Sequence, residues 1–171
     1  MNRRLAAVLI LLGSVLLTGC WGPVSSIGTS SVGNTLTQGQ RFTLKDINGN
    51  VVVLDQLLTQ KKAVLLDFWA TWCGYCVEEM PDLIKLQQKQ QARGFTVLGV
   101  NVGESRDQAA GFAEKMGLNF PIVLDEDSTV AQQYNVVGIP LSLLINSKGD
   151  VVGEYHAYTR QLEDDIEKTL E

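Results

Sequence analysis

From residue 41 onward, short apolar runs alternate with longer stretches in which apolar residues return every three or four positions. Residues 41–44 and 51–53 flank the polar segment Asp46-Ile47-Asn48-Gly49-Asn50, and Asn-Gly is a strong short-range turn signal, so a hairpin is predicted. A short helix is predicted over 54–60. Residues 63–69 and 95–101 are near-continuous apolar runs, suited to strands covered on both faces. Between them, 73–92 reads as a helix that kinks or breaks near Pro81, with Gly94 as its stop. Ala109, Phe112, Ala113 and Met116 share one face of a helix over 105–116, capped by Ser105 and ended by Gly117. A short strand is predicted over 120–124 and a short helix over 128–134. Residues 141–145 and 151–155 predict a second hairpin, and Leu162, Ile166 and Leu170 mark the apolar stripe of a last helix. Strands alternating with helices, closed by an antiparallel hairpin, give an α/β fold: a mixed central sheet with helices on both faces.

The first forty residues follow no such pattern. Arg3 and Arg4 precede an apolar segment, 5–17, that meets Thr18-Gly19-Cys20. A basic flank, a short apolar core and small residues are the parts of a secretory signal. The apolar run is short of the ~20 residues that a membrane span needs. Residues 21–40 are rich in Gly, Ser and Thr without hydrophobic period, which predicts a flexible tether. Its coil span is roughly 25 Å, from ~5–6 Å × √n. The expected organisation is a signal peptide over 1–19, a linker over 20–40 and one domain over 41–171.

Composition narrows the function classes. A net charge of −5 with no dense basic patch argues against nucleic acid as a partner. Three cysteines are too few for a disulfide-stapled scaffold. Two of them, Cys73 and Cys76, sit three positions apart where the 63–69 strand gives way to a helix. Cys73 falls at the helix N-terminus, where unpaired N–H groups and the positive dipole end favour a thiolate. Cys76 is one turn in, close enough to close a small disulfide loop. The residues alone leave an inert disulfide or a zinc half-site open, although zinc normally takes four ligands and the domain adds only His156. Asp67 is a carboxylate inside an apolar strand, so its pKa is expected to be raised. Glu79 lies three residues after Cys76, on the same helix face.

The string Leu66-Asp67-Phe68-Trp69-Ala70, Trp72 directly before Cys73, and Pro81 five residues after Cys76 resemble the thioredoxin superfamily. The element order, over about 42–170, resembles one branch of it, the membrane-anchored TlpA/ResA-like thiol-disulfide oxidoreductases. The extra N-terminal hairpin, the inserted strand–helix unit before Pro140 and Glu79-Met80-Pro81 carry that likeness. The resemblance implies a nucleophile at Cys73, a resolving thiol at Cys76 and no cofactor. It implies that Asp67 moves the proton of the buried cysteine. Many members of the branch have Asn there, so Asp67 departs toward thioredoxin. Glu79 is a second proton acceptor in this reading and tunes Asp67; the bland alternative is a solvated helix charge, a part that suits Glu78 better. Ile139-Pro140 matches a cis bond that packs beside the cysteines and pairs with the substrate backbone, and Trp72 forms a rim.

The implied partners are a protein disulfide and a membrane electron donor. Family members commonly reduce haem-site cysteines of apocytochrome c or copper-site cysteines. Leu17-Thr18-Gly19-Cys20 also resembles a bacterial lipobox, which implies cleavage before Cys20, its acylation and a bilayer partner. The expected location is the cell envelope, outside the cytoplasm, with the choice of membrane open. Two other readings exist. Copper-delivering relatives use two cysteines and a distant histidine, with three residues between the cysteines where this chain has two. Thiol peroxidases on a related fold carry Pro-x-x-x-Thr-x-x-Cys, and no proline precedes Cys73 at that spacing.

Overall fold

The computed structural model describes Leu36 and residues 40–171, which belong to one compact unit. The signal segment, Cys20 and nearly all of the tether lie outside the described residues. The chain order is β1 (Thr43–Lys45), β2 (Val51–Val53), α1 (Leu54–Gln60), β3 (Ala63–Trp69), α2 (Gly74–Gln90), a 3₁₀ turn (Gln91–Arg93), β4 (Phe95–Val102), α3 (Arg106–Met116), β5 (Ile122–Asp125), α4 (Thr129–Gln133), β6 (Leu141–Asn146), β7 (Val151–Tyr155) and α5 (Arg160–Leu170). The central sheet has the order β5-β4-β3-β6-β7. Strands β3, β4 and β5 run parallel, while β6 is antiparallel to both β3 and β7.

Strand β3 is buried along its whole length, and its pleat sorts the core into two layers. Ala63, Leu65 and Trp69 pack with Met80, Leu83 and Leu86 of α2 and with Leu162, Ile166 and Leu170 of α5. Val64, Leu66 and Phe68 pack on the other side with Leu54 and Leu58 of α1 and Val130 and Ala131 of α4. Each fully buried Leu or Phe contributes about 1.5–3 kcal/mol. The same alternation turns Asp67 toward the α2 side.

The N-terminal hairpin forms its own two-stranded sheet. Gly49 takes φ 87°, and the Asp46 carboxylate accepts the N–H groups of Asn48 and Asn50 at 2.8 Å each. The hairpin docks on β5 through Ile47 N–H to the Ile122 carbonyl at 3.1 Å.

Of the kink or break expected at Pro81, the break does not occur: helix α2 is continuous from Gly74 to Gln90. Pro81 lacks the N–H that residue 77 would accept, so one backbone bond is missing. Buried Met80, Leu83 and Leu86 on either side of it hold the helix against the sheet. The helix also begins one residue later than expected, with Cys73 as its N-cap. Gly94 adopts the left-handed conformation, φ 94°, and ends the 3₁₀ turn that follows.

Candidate active site

Strand β3 ends at Trp69, and the chain turns through Ala70, Thr71 and Trp72 before entering α2. The Cys73 N–H donates to the Ala70 carbonyl at 3.2 Å, closing that turn. Cys73 Sγ then accepts the Cys76 N–H at 3.2 Å, so the sulfur caps the helix and meets one of its unpaired donors. Cys73 and Cys76 are joined in a disulfide, with Cα atoms 5.3 Å apart. Cys73 retains 6% exposure and Cys76 none. Trp72 and Tyr75, the neighbours of Cys73 and Cys76 in the chain, are 71% and 76% exposed.

The Ile139–Pro140 bond is cis, and the Ile139 carbonyl oxygen lies 3.6 Å from Cys73 Sγ. A disulfide sulfur has no proton to give, so this is a contact in the oxidised protein; a reduced thiol could donate there. Pro140 is buried and Ile139 half-buried, while Val137 three residues earlier is fully exposed.

Two carboxyl groups lie on the α2 side of the sheet. Asp67 is wholly buried; its Oδ1 accepts from the Ser142 hydroxyl at 2.8 Å, and Oδ2 has no partner among the described residues. Burial pushes its pKa up to about 7 against the opposing pull of that hydrogen bond. Glu79 is buried as well, whereas Glu78 is exposed. Its Oε2 accepts the Tyr158 N–H at 3.0 Å and its Oε1 is unpartnered among the described residues. Burial first, and the charge of Asp67 second, push Glu79 up to about 8. Each acid disfavours ionisation of the other, so the two titrate as a coupled set.

Two polar residues of the site region were not singled out from the sequence. Glu104, 5% exposed, accepts the Thr71 N–H at 2.8 Å, the Thr71 hydroxyl, and Asn101 Nδ2 at 2.7 Å. It ties the Ala70–Trp72 turn to the end of β4. Ser142 is the other, a single hydroxyl in the apolar strand β6. Trp69 packs on Phe112, at 5.3 Å between ring centroids, and over Gly99, where a Cβ would stand 3.0 Å from the indole nitrogen. His156 is largely exposed, 3.5 Å from Glu154. Among the described residues no three His, Cys, Asp or Glu side chains gather in a metal-holding group.

The AhpC/TSA family profile matches residues 36–156. The thiol-disulfide oxidoreductase ResA of Geobacillus kaustophilus is 34% identical over 168 residues, covering 98% of this chain and 92% of that protein. ResA of Bacillus subtilis is 40% identical over 111 residues, covering 65% of this chain and 61% of that protein. Among solved structures, a Chlorobium tepidum protein named for the thiol:disulfide interchange protein DsbE superposes with a TM-score of 0.73 at 30% identity, over 81% of this chain and 99% of that one. The thioredoxin domain of a thiol-disulfide oxidoreductase from Bacteroides vulgatus gives 0.71 at 27% identity, over 81% and 97%.

Proposed function

Because the chain belongs to the AhpC/TSA family, and within it to the ResA-like thiol-disulfide oxidoreductases, we propose that it reduces protein disulfides outside the cytoplasm through a Cys73–Cys76 dithiol/disulfide cycle. The observation that carries the reading is a disulfide at a helix N-terminus with its outer sulfur against the Ile139 carbonyl. In the reduced protein the Cys73 thiolate attacks one sulfur of a substrate disulfide. A Cys73–substrate bond forms, the substrate S–S bond breaks, and the leaving sulfur departs as thiolate. Cys76 then gives up its proton and attacks Cys73 Sγ, forming the internal disulfide and releasing the second substrate sulfur. Two electrons pass from the dithiol to the substrate.

Asp67 takes the Cys76 proton in this scheme, and Glu79 tunes it. An acid poised near pH 7 can both accept and return a proton at neutrality. Trp72, Ile139 and Pro140 form the docking edge, where an extended substrate segment pairs with the backbone. Haem-site or copper-site cysteines of other proteins are the substrate class that the family suggests. An oxidising compartment favours disulfides, so turnover needs a dithiol donor, which we place in the membrane. No specific observation favours copper delivery or peroxide reduction. The test is insulin reduction with dithiothreitol beside a copper titration followed by absorbance. Catalysed insulin precipitation is expected; tight copper uptake without disulfide turnover would overturn the reading.

We further infer that the mature protein begins at an acylated Cys20. Several acyl chains, at ~0.8 kcal/mol per buried CH₂, hold a protein firmly to a bilayer. The expected outcome is partition into the detergent phase, abolished by Cys20→Ser; a Cys20→Ser protein that stays equally membrane-bound would contradict the anchor.

A further inference from the structure

Strand β6 carries one hydroxyl, Ser142, between apolar residues, and β3 carries one acid, Asp67, in the same setting. The antiparallel register sets the two directly opposite each other. Both are buried, and the Ser142 hydroxyl donates to Asp67 Oδ1 at 2.8 Å. Burying either group alone is unfavourable, so each accounts for the other. Ser142 also stands two residues beyond the cis Ile139–Pro140 bond, on the strand that opens at the proposed docking edge.

We propose that Ser142 is a positioning residue for disulfide exchange: its hydroxyl occupies Asp67 Oδ1, fixes the carboxyl plane, and leaves Oδ2 as the oxygen that takes and returns the Cys76 proton. This rests on the reading of Asp67 as proton relay. The chemistry balances within the pair. Cys76 loses a proton to Oδ2, Oδ1 becomes the carbonyl oxygen of the neutral acid, and the serine donates to it in both states. A hydroxyl that donates to Oδ1 strengthens most when the carboxylate is charged, so it also favours the ionised form.

The other groups on that side of the sheet are few. Helix α2 carries Glu79 and Cys76, and β4 carries the neutral Gly99 and Asn101, whose amide donates to Glu104. The loop before α5 gives Tyr158, whose N–H goes to Glu79 and whose phenol burial keeps neutral. Helix α5 presents Leu162, Ile166 and Leu170 to the core, while its Asp165 and Glu167 pair with Tyr155 and Arg93. Ser142 is the only side chain shown donating to Asp67 among the described residues.

The test follows the Asp67 carboxyl by ¹³C NMR in the oxidised protein, where no thiol titrates, together with the pH–rate profile of exchange. Ser142→Ala is expected to raise the Asp67 midpoint by about one pH unit and to move the rate profile the same way. Ser142→Thr, which restores the hydroxyl, is expected to return both. In an Asp67→Asn background Ser142→Ala should leave the rate profile where it is. An Asp67 midpoint unmoved by Ser142→Ala, while Asp67→Asn still changes the profile, overturns the role of Ser142 and spares the relay. A profile unmoved by Asp67→Asn overturns the relay itself, and this proposal with it.

Discussion

Cys73→Ser is expected to fold and to lose disulfide turnover by on the order of 10³-fold or more, because a serine hydroxyl neither ionises near neutrality nor joins a disulfide. Folding is expected to survive because Cys73 acts structurally as an N-cap, accepting the Cys76 N–H, and serine is a preferred residue for that task. The substitution also removes the disulfide, whose loop is very short, at a cost of about 2 kcal/mol in the chain-entropy picture. Cys76→Ser loses the same cross-link and so controls for that cost. Guanidinium unfolding together with insulin reduction separates the two effects. Similar midpoints in the two variants, with turnover lost in both and a disulfide-linked insulin adduct formed by Cys76→Ser alone, is the expected pattern. Retained turnover in Cys73→Ser would remove Cys73 from the chemistry.

The second large effect is on stability. Asp67 has a folded pKa of about 7, well above the usual carboxylate range, so between pH 4 and pH 7 the native protein holds a proton that the unfolded chain has lost. Its contribution is therefore fully present below about pH 4 and is lost as pH rises through 7. Above that range the buried charge costs on the order of 4 kcal/mol, from about 1.4 kcal/mol per pH unit. Asparagine has nearly the same shape, can still accept from Ser142, and cannot ionise. Asp67→Asn is accordingly expected to stabilise the oxidised protein by up to about 4 kcal/mol at pH 8, with the gain fading toward pH 4. It is also expected to lower the Glu79 pKa, since the Asp67 charge is one of the two causes that raise it. Activity at neutral pH should fall as stability rises, the exchange expected of a strained functional group. Denaturant unfolding at the two pH values checks this. An equal gain at both would mean that Asp67 titrates normally.

Much of this was legible along the chain. The buried central strands follow from their apolar runs and helices α3 and α5 from their apolar stripes, and the cysteine pair at a strand-to-helix junction pointed to the candidate site. Asp67 stood out as one acid in an apolar run, and its complete burial supplies the physical cause of the raised pKa expected there. Other features depend on pairing over distance. Ser142 is informative only once the register sets it against Asp67, 75 positions away. Glu104 sits in a polar loop like many surface acids, and gains meaning only when the loop folds back on Thr71. Glu79 could be placed on the Cys76 face from spacing, but its burial comes from the remote segment that supplies the Tyr158 N–H. At Pro81 the local rule pointed to a kink or a break, and the packing of Met80, Leu83 and Leu86 keeps the helix continuous through it.

The most direct test of the exchange cycle is to express Cys76→Ser in cells and resolve its disulfide-linked adducts on non-reducing gels with mass spectrometry. The expected result is a protein partner joined through Cys73 by a bond that reductant releases, absent when Cys73 is also replaced. A Cys76→Ser protein that accumulates no Cys73-linked partner, with Cys73 recovered as a free thiol, would contradict the cycle.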